Sequence, residues 1–317
     1  MNIIKTSQAL ILASLLLAGM SHANEKKVFI KAAIIGDIDV IETLVEKGID
    51  PNTSTRFGKS ALMIAIEYEN HEVVNYLLKH DVNINARTAA GCTALTFAAE
   101  NGYNELVNTL LQKGATTHPK TRAGWDALTI AARQGHTDVM QSLVKNNANV
   151  NTSDKQGKTA LMAAAEHNYV DAIKILVEAD ANVHVRNKHG MNAMMIAACQ
   201  GHSESVEYLL SKGASFNAVA KDGSTALLCA AEEGHTNVIN LLLKQGAAIN
   251  HKNSYDETAL FLATLNNHAS SVRLLLKNGA DITIPNNKGI TPPQLAKNKR
   301  FSNIVDLFIN FKSSSLK

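Results

Sequence analysis

The chain is 317 residues long, 45% hydrophobic and only 5% aromatic. Its formal charge of +3 falls to about +2 once Lys5 is discounted, too small a surplus to hold nucleic acid through bulk charge. Cys92, Cys199 and Cys229 are the only cysteines, and their spacing matches no metal-binding pattern.

Residues 1–23 stand apart from the rest. Lys5 supplies a short positive region, Ala9 to Ala18 is a nearly unbroken apolar run, and Ser21-His22-Ala23 offers small residues at the two positions that a signal peptidase inspects. That order predicts a secretory signal cleaved before Asn24. The apolar run is short for a bilayer span. No cysteine follows it to carry a lipid anchor, and no later segment is apolar enough to cross a membrane.

Residues 24–52 carry a helix-pair pattern without the opening found in later units, and read as an N-terminal cap. Along the chain an alanine recurs at one fixed interval: Ala32, Ala65, Ala98, Ala131, Ala164, Ala197, Ala230, Ala263 and Ala296. A glycine keeps the same beat at Gly58, Gly91, Gly124, Gly157, Gly190, Gly223 and Gly289, with Asp256 as its one substitute. A fixed period of this size predicts stacked supersecondary units rather than one globular core, and overrides the two-domain expectation that length alone would set. Two residues after the glycine stands a helix-capping type: Ser60, Thr93, Asp126, Thr159, Asn192, Thr225, Thr258 and Thr291. The helix that follows carries alanines, so a neighbouring backbone can come close. A second helix ends in an apolar pair, such as Leu77-Leu78, Leu143-Val144 or Leu242-Leu243, and stops at glycines such as Gly114, Gly213, Gly246 and Gly279. Asn85, Asn151, Asn217 and Asn250 mark the turn into the next unit.

On these residues the chain resembles the ankyrin repeat family. The run Gly223 to Ala231, Gly234-His235, Leu242-Leu243 and Gly246 to Asn250 follows that family's signature almost throughout. Seven units place alanine where the family commonly has proline, and only the last has Pro292-Pro293. Alanine is an acceptable first helical residue, so the helices start with less pre-organisation. The resemblance implies an all-α repeat solenoid of about eight to nine helix-turn-helix units with β-hairpin-like tips. The expected organisation is a signal peptide at 1–23, a capping unit at 24–52 and seven repeats at 53–286. A C-terminal capping unit at 287–311 and a frayed polar tail at 312–317 complete it.

A search for chemistry returns nothing catalytic. The sequence has no glycine-rich phosphate loop, no zinc-protease His-Glu pair and no Gly-x-Ser-x-Gly elbow. His136, His202, His235 and His268 share one repeat slot, a structural turn position one unit apart, too far to share an ion. No cofactor and no metal are expected. Asn52-Thr53-Ser54 and Asn151-Thr152-Ser153 match a glycosylation sequon, but both asparagines occupy the structural turn slot. Stacked helices sit about 8–10 Å apart and a disulfide needs Cα atoms within about 7 Å, so Cys199 and Cys229, three slots out of step, are expected as free thiols. Cys229 is expected to be buried and inert, and Cys92 to sit on a tip.

What the scaffold leaves free is the tips and the inner side of the first helix of each unit, which in the ankyrin arrangement line a binding surface. Tip slots hold Arg56, Phe57, Arg87, Arg122, Trp125, Lys155, Lys158, Lys188, His189, Met191 and Tyr255; inner-helix slots add Tyr68, Arg133, Gln134 and His167. The tips are basic, as solubility alone would favour. Trp125 is the sole tryptophan and stands on a tip, and tryptophan is enriched among binding hot spots. The expected function is non-catalytic protein binding in the periplasm, supporting or inhibiting another protein. The chain is similar to exported bacterial ankyrin proteins in its leader and repeats. The alternatives are a secreted effector that binds a host protein, an enzyme whose site is scattered over the surface, and a structural spacer. The partner is expected to be a protein, with no nucleic acid and no membrane span after cleavage, and the chain is expected to be a monomer.

Overall fold

Each capping residue starts a helix in the computed structural model, which describes residues 21–315. Ser60 accepts a hydrogen bond from Met63 N at 3.3 Å and Asp126 from Thr129 N at 2.8 Å. Thr159 accepts from Met162 N at 3.3 Å and Asn192 from Met195 N at 2.9 Å. Thr93 and Thr96 form a reciprocal capping box. These bonds satisfy donors that a helix start leaves without partners. Eighteen helices result among the described residues, with no strand; only the isolated bridges Ser54–Ser60 and Ser153–Thr159 have extended pairing.

The residues form two compact units that divide after Asn149. The first holds α1 (His22–Ile35), α2 (Ile38–Glu46), α3 (Ala61–Glu67), α4 (His71–Leu77), α5 (Ala94–Glu100), α6 (Asn104–Gln112), α7 (Ala127–Gln134) and α8 (Thr137–Lys145). The second holds α9 (Ala160–Glu166), α10 (Val170–Glu178), α11 (Ala193–Cys199), α12 (Ser203–Ser211), α13 (Ala226–Glu232), α14 (Thr236–Lys244), α15 (Ala259–Leu265), α16 (Ala269–Lys277), α17 (Pro292–Lys299) and α18 (Ser302–Ser315). Helices pair in sequence. Inner helices stack on inner helices (α3 on α5, α5 on α7; α9 on α11, α11 on α13, α13 on α15), and outer on outer.

The alanine register is the seam of the inner stack in each unit: Ala65, Ala98 and Ala131 in the first, and Ala164, Ala197, Ala230, Ala263 and Ala296 in the second, are all fully buried. Leu77, Leu110 and Leu143 in the first unit, and Leu176, Leu209, Leu242 and Leu275 in the second, bury the outer helices against it. One or two residues past every inner helix the chain turns left-handed, whether at glycine (Gly36, Gly135) or not (Glu69, Asn168, Asn267, Arg300). That sharp turn folds the outer helix back.

The histidine slot locks neighbouring pairs together. His136 Nε2 meets the Glu100 carbonyl at 3.0 Å, His202 that of Glu166 at 2.9 Å, His235 that of Cys199 at 3.1 Å and His268 that of Glu232 at 2.9 Å. Each therefore bonds to the preceding repeat. The sequon asparagines are similarly occupied. Asn52 donates to the Asp81 carbonyl and accepts from Asn83 N, and Asn151 repeats both contacts with Asp180 and Asn182.

The two ends bear differently on the expected organisation. Of the signal peptide expected at 1–23, residues 1–20 lie outside the described residues, and Ala23 lies in the first turn of α1. At the other end α18 continues through Ser315 rather than fraying at 312. No glycine or proline interrupts Lys312 to Ser315, so nothing local ends the helix. Leu316 and Lys317 also fall outside the described residues.

The alanine seam makes a sharp test. Ala164 lies in α9, fully buried against α10 and α11. Ala164→Arg would place an unpaired charge where there is room for a methyl group, at a cost of about 4 kcal/mol or more. Denaturation followed by helical circular dichroism should show the cooperative transition of the second unit lost or shifted far down. A wild-type curve would mean that the alanine does not face the seam.

Candidate binding face

The tips are tight turns built to one plan, and in all but the tip at Ala220 the residue four before the turn's end accepts the closing amide through its side chain. Thr88 takes Cys92 N at 3.0 Å, Thr121 takes Trp125 N at 3.1 Å, Asp154 takes Lys158 N at 2.8 Å and Asn253 takes Glu257 N at 2.9 Å. Threonine and asparagine thus take the part of the family's usual aspartate. Within the first unit the tips are tied to each other: Ala89 N donates to the Phe57 carbonyl and Arg122 N to the Ala90 carbonyl, both at 2.7 Å. A Cβ on Gly91 would lie 2.7 Å from the Lys120 carbonyl oxygen, so the tip admits only glycine there.

On this rigid ladder the first unit displays aromatic rings, each beneath a cation. Arg56 lies 4.6 Å from the Phe57 ring centre, Lys59 4.7 Å from Phe97 and Arg133 4.5 Å from Trp125. Phe57 is 59% exposed; Trp125 and Phe97 are half-buried. Two hollows open between them. One, about 370 Å³, is lined by Phe57, Ala89, Cys92 and Phe97; the other, about 270 Å³, by Cys92, Trp125, Ile130 and Arg133. Arg122 borders both. Lys59 also pairs with Glu67 across the tip and inner helix. The face has a basic balance: Arg56, Lys59, Arg87, Lys120, Arg122 and Arg133 stand against Glu67 and Glu100.

Most of the sequence-derived residues of the first unit gather here. Phe57, Arg56, Arg122, Trp125, Arg133 and Gln134 belong to one cluster. Arg87 has a second duty, because its guanidinium donates to the Lys120 carbonyl and braces adjacent tips. Tyr68 is 52% exposed at the end of α3.

The second unit is different in kind. Lys158 is paired with Glu166, and His167 lies 3.8 Å from the same carboxylate with its ring 5.6 Å from Tyr169. Lys155, Lys188 and His189 are exposed, Met191 is half-buried, and Tyr255 is 58% exposed beside the Lys252–Asp256 pair at 2.7 Å. Acids gather towards its later repeats. Glu232 has its carboxyl pushed up by burial, then by the charges of Glu233, Glu257 and Asp222. The basic character read from the tips therefore describes the first unit better than the second, where inner-helix carboxylates offset it.

Sequence reasoning missed Phe97, Ile130 and the lining role of Cys92. Phe97 stands in a slot that holds Ile64, Ile130 and Ala163 elsewhere. A ring at a position filled mostly by aliphatic residues was the available signal. The cysteine reading also needs correcting. Cys229 is half-buried rather than buried, and all three cysteines are free thiols.

A separate hollow of about 490 Å³ lies on the outer helices of the first unit, between His71 and Tyr103. The Tyr103 hydroxyl is pushed up to about 12 by burial and by its hydrogen bond to Glu69. Among the described residues no group of three or more His, Cys, Asp and Glu side chains converges to hold a metal, and no helix is long and apolar enough to cross a membrane.

A tandem array of α-helical pairs with an exposed, chemically varied tip face is a binding scaffold in form. The family model for ankyrin repeats (3 copies) matches residues 29–121, 95–187, 128–220 and 194–286. The chain belongs to the ankyrin repeat family, whose arrays are typically non-catalytic scaffolds for protein–protein interaction. Comparison with curated proteins gives no match.

Proposed function

We propose that this chain is an exported, periplasmic scaffold that holds a partner protein on the tips and inner helices, anchored on the first unit. The observation that carries the reading is the set of three rings, Phe57, Phe97 and Trp125, each under a cation and bordering two hollows. Aromatic residues with arginine are what protein interfaces enrich at their energetic centres. The cations specify the partner's chemistry: an acidic segment that presents an apolar side chain to the hollow beside Trp125. Held between repeats by backbone hydrogen bonds, the rings lose little freedom on binding. Export rests on Lys5, the apolar run Ala9 to Ala18 and Ser21-His22-Ala23. On this reading the scaffold supports or inhibits another exported protein.

Two measurements test the two halves. Intact-mass analysis after cell fractionation should find a periplasmic chain that begins at Asn24; a cytoplasmic chain retaining residues 1–23 would end the export reading. For the face, the partner is captured from a periplasmic extract and studied by surface plasmon resonance. Trp125→Ala should weaken binding by about 2 kcal/mol or more, mainly through faster dissociation. Arg56→Glu with Arg122→Glu should instead slow association and flatten its salt dependence, since rim charges steer over about 8–10 Å. Lys174→Glu, on outer helix α10, should change neither rate. If only the Lys174 substitution alters binding, the tips are not the binding face.

A further inference from the structure

We infer that Glu232, at the end of inner helix α13, receives a lysine side chain of the partner protein, in the place that the chain's own lysine takes in two other repeats. The inference rests on the reading of tips and inner helices as the binding face, and it adds a second element to the partner's chemistry.

The repeats themselves show how this slot is used. The residue just before the helix cap and the last residue of the inner helix face each other. Lys59 pairs in this way with Glu67, and Lys158 with Glu166. In the repeat of α13 the same two positions hold Ser224 and Glu232. A serine side chain has one carbon where lysine has four, so it cannot span the gap. Among the described residues no cationic side chain forms an ion pair with the Glu232 carboxylate.

The backbone of the slot is built as it is around Lys158 and Glu166. Thr225 caps α13 by accepting from Leu228 N at 3.4 Å, as Thr159 caps α9 by accepting from Met162 N at 3.3 Å. Ser254 N donates to the Asp222 carbonyl at 2.9 Å, as Lys188 N does to that of Gln156 at 2.8 Å. His268 Nε2 meets the Glu232 carbonyl at 2.9 Å, as His202 Nε2 meets that of Glu166. Glu232 is therefore held as Glu166 is, with a short side chain opposite in place of the lysine.

The surroundings favour a long-stemmed cation. Asp222 and Glu257 occupy the slots of Phe57 and Cys92, which line a hollow together with Lys59 in the first unit. Partial burial, and then the charges of Glu233, Glu257 and Asp222, push the Glu232 carboxyl up. An ammonium brought among these carboxylates relieves their repulsion. The floor is apolar. Lys59 reaches over the Phe97 ring of the next repeat, and the slot of Phe97 is here the buried Leu262. An aliphatic stem can lie on that floor while its charged head meets the carboxylate. A bare metal ion is the poorer match, since among the described residues no three His, Cys, Asp and Glu side chains converge to hold one.

The test uses the isotope-labelled full chain at low salt, with acetylated and amidated tetralysine as the probe and tetraserine as the control. Tetralysine should shift the amide NMR signals of Glu232, Glu233 and Glu257 in a saturable way, and tetraserine should not. Glu232→Gln should weaken the binding about threefold or more. Ser224→Lys should do the same, because the slot then takes its lysine from within, and its thermal midpoint should not fall below that of the wild type. Trp125→Ala should bind tetralysine as the wild type does, so the slot is measured independently of the first-unit anchor. Ser224→Lys should also weaken binding of the captured partner, and acetylation of the partner's lysines should abolish the difference between Ser224→Lys and wild type. Equal tetralysine binding by wild type, Glu232→Gln and Ser224→Lys would overturn the inference. So would calcium that gives the same shifts and displaces tetralysine at a lower concentration, or a partner whose affinity Ser224→Lys leaves unchanged. Loss of partner binding in Ser224→Lys but not in Trp125→Ala would uphold this slot and remove the first-unit anchor.

Discussion

The close approach of one inner helix to the next is the constraint on which the rest of this structure depends. It is met by a single buried methyl group at the same slot of every repeat, from Ala65 to Ala296. Small residues along this seam bring neighbouring backbones near enough for side chains of one repeat to bond the main chain of the last. The histidines from His136 to His268 do so at the carbonyl just before the inter-helix turn. Asn52, Asn85 and Asn151 reach the other way, to the main chain at the start of the following repeat's turn. The tip amides of the first unit do so along the edge. Each of these bonds is modest, about 0.5–1.5 kcal/mol net. Repetition gives each stack its stiffness, since each repeat contacts only its neighbours.

A scaffold built this way uses its small and apolar residues internally and leaves the tips to vary. In the first unit that freedom goes to Phe57, Phe97 and Trp125, with Arg56, Lys59 and Arg133 over them. At exposed sites such cation–ring contacts contribute about 0.5–1 kcal/mol each. That is enough to hold the guanidinium groups in position without a partner, and little enough for a carboxylate to draw them away. The second unit uses the same freedom for ion pairs, Lys158 with Glu166 and Lys252 with Asp256, and for the carboxylates around Glu232. The two units therefore present different surfaces on one backbone plan.

The fold was legible because the requirements of stacking recur at every repeat. A capping side chain at Ser60 or Thr159, a left-handed residue at Gly91, and a methyl group at Ala98 are each the answer to a local steric or hydrogen-bonding demand. The face was legible only in part. Trp125 stood out by being alone, and the tip arginines by being charged. Phe97 did not, because an aromatic ring in a mostly aliphatic slot resembles core, and only the positions of Lys59 and Cys92 show that it lines a hollow. The extent of α18 was missed because composition marks residues 312–315 as polar without saying that anything ends the helix.

The central claim is that the rings of the first unit form the anchor of the binding face. Hydroxyl-radical footprinting of the chain, alone and with its captured partner, tests it most directly. The account predicts that oxidation of Phe57, Phe97 and Trp125 falls together on binding, while Tyr76 and Tyr208 on the outer helices react as before. Unchanged reactivity at all three rings, with protection of Tyr76 or Tyr208 instead, would contradict it.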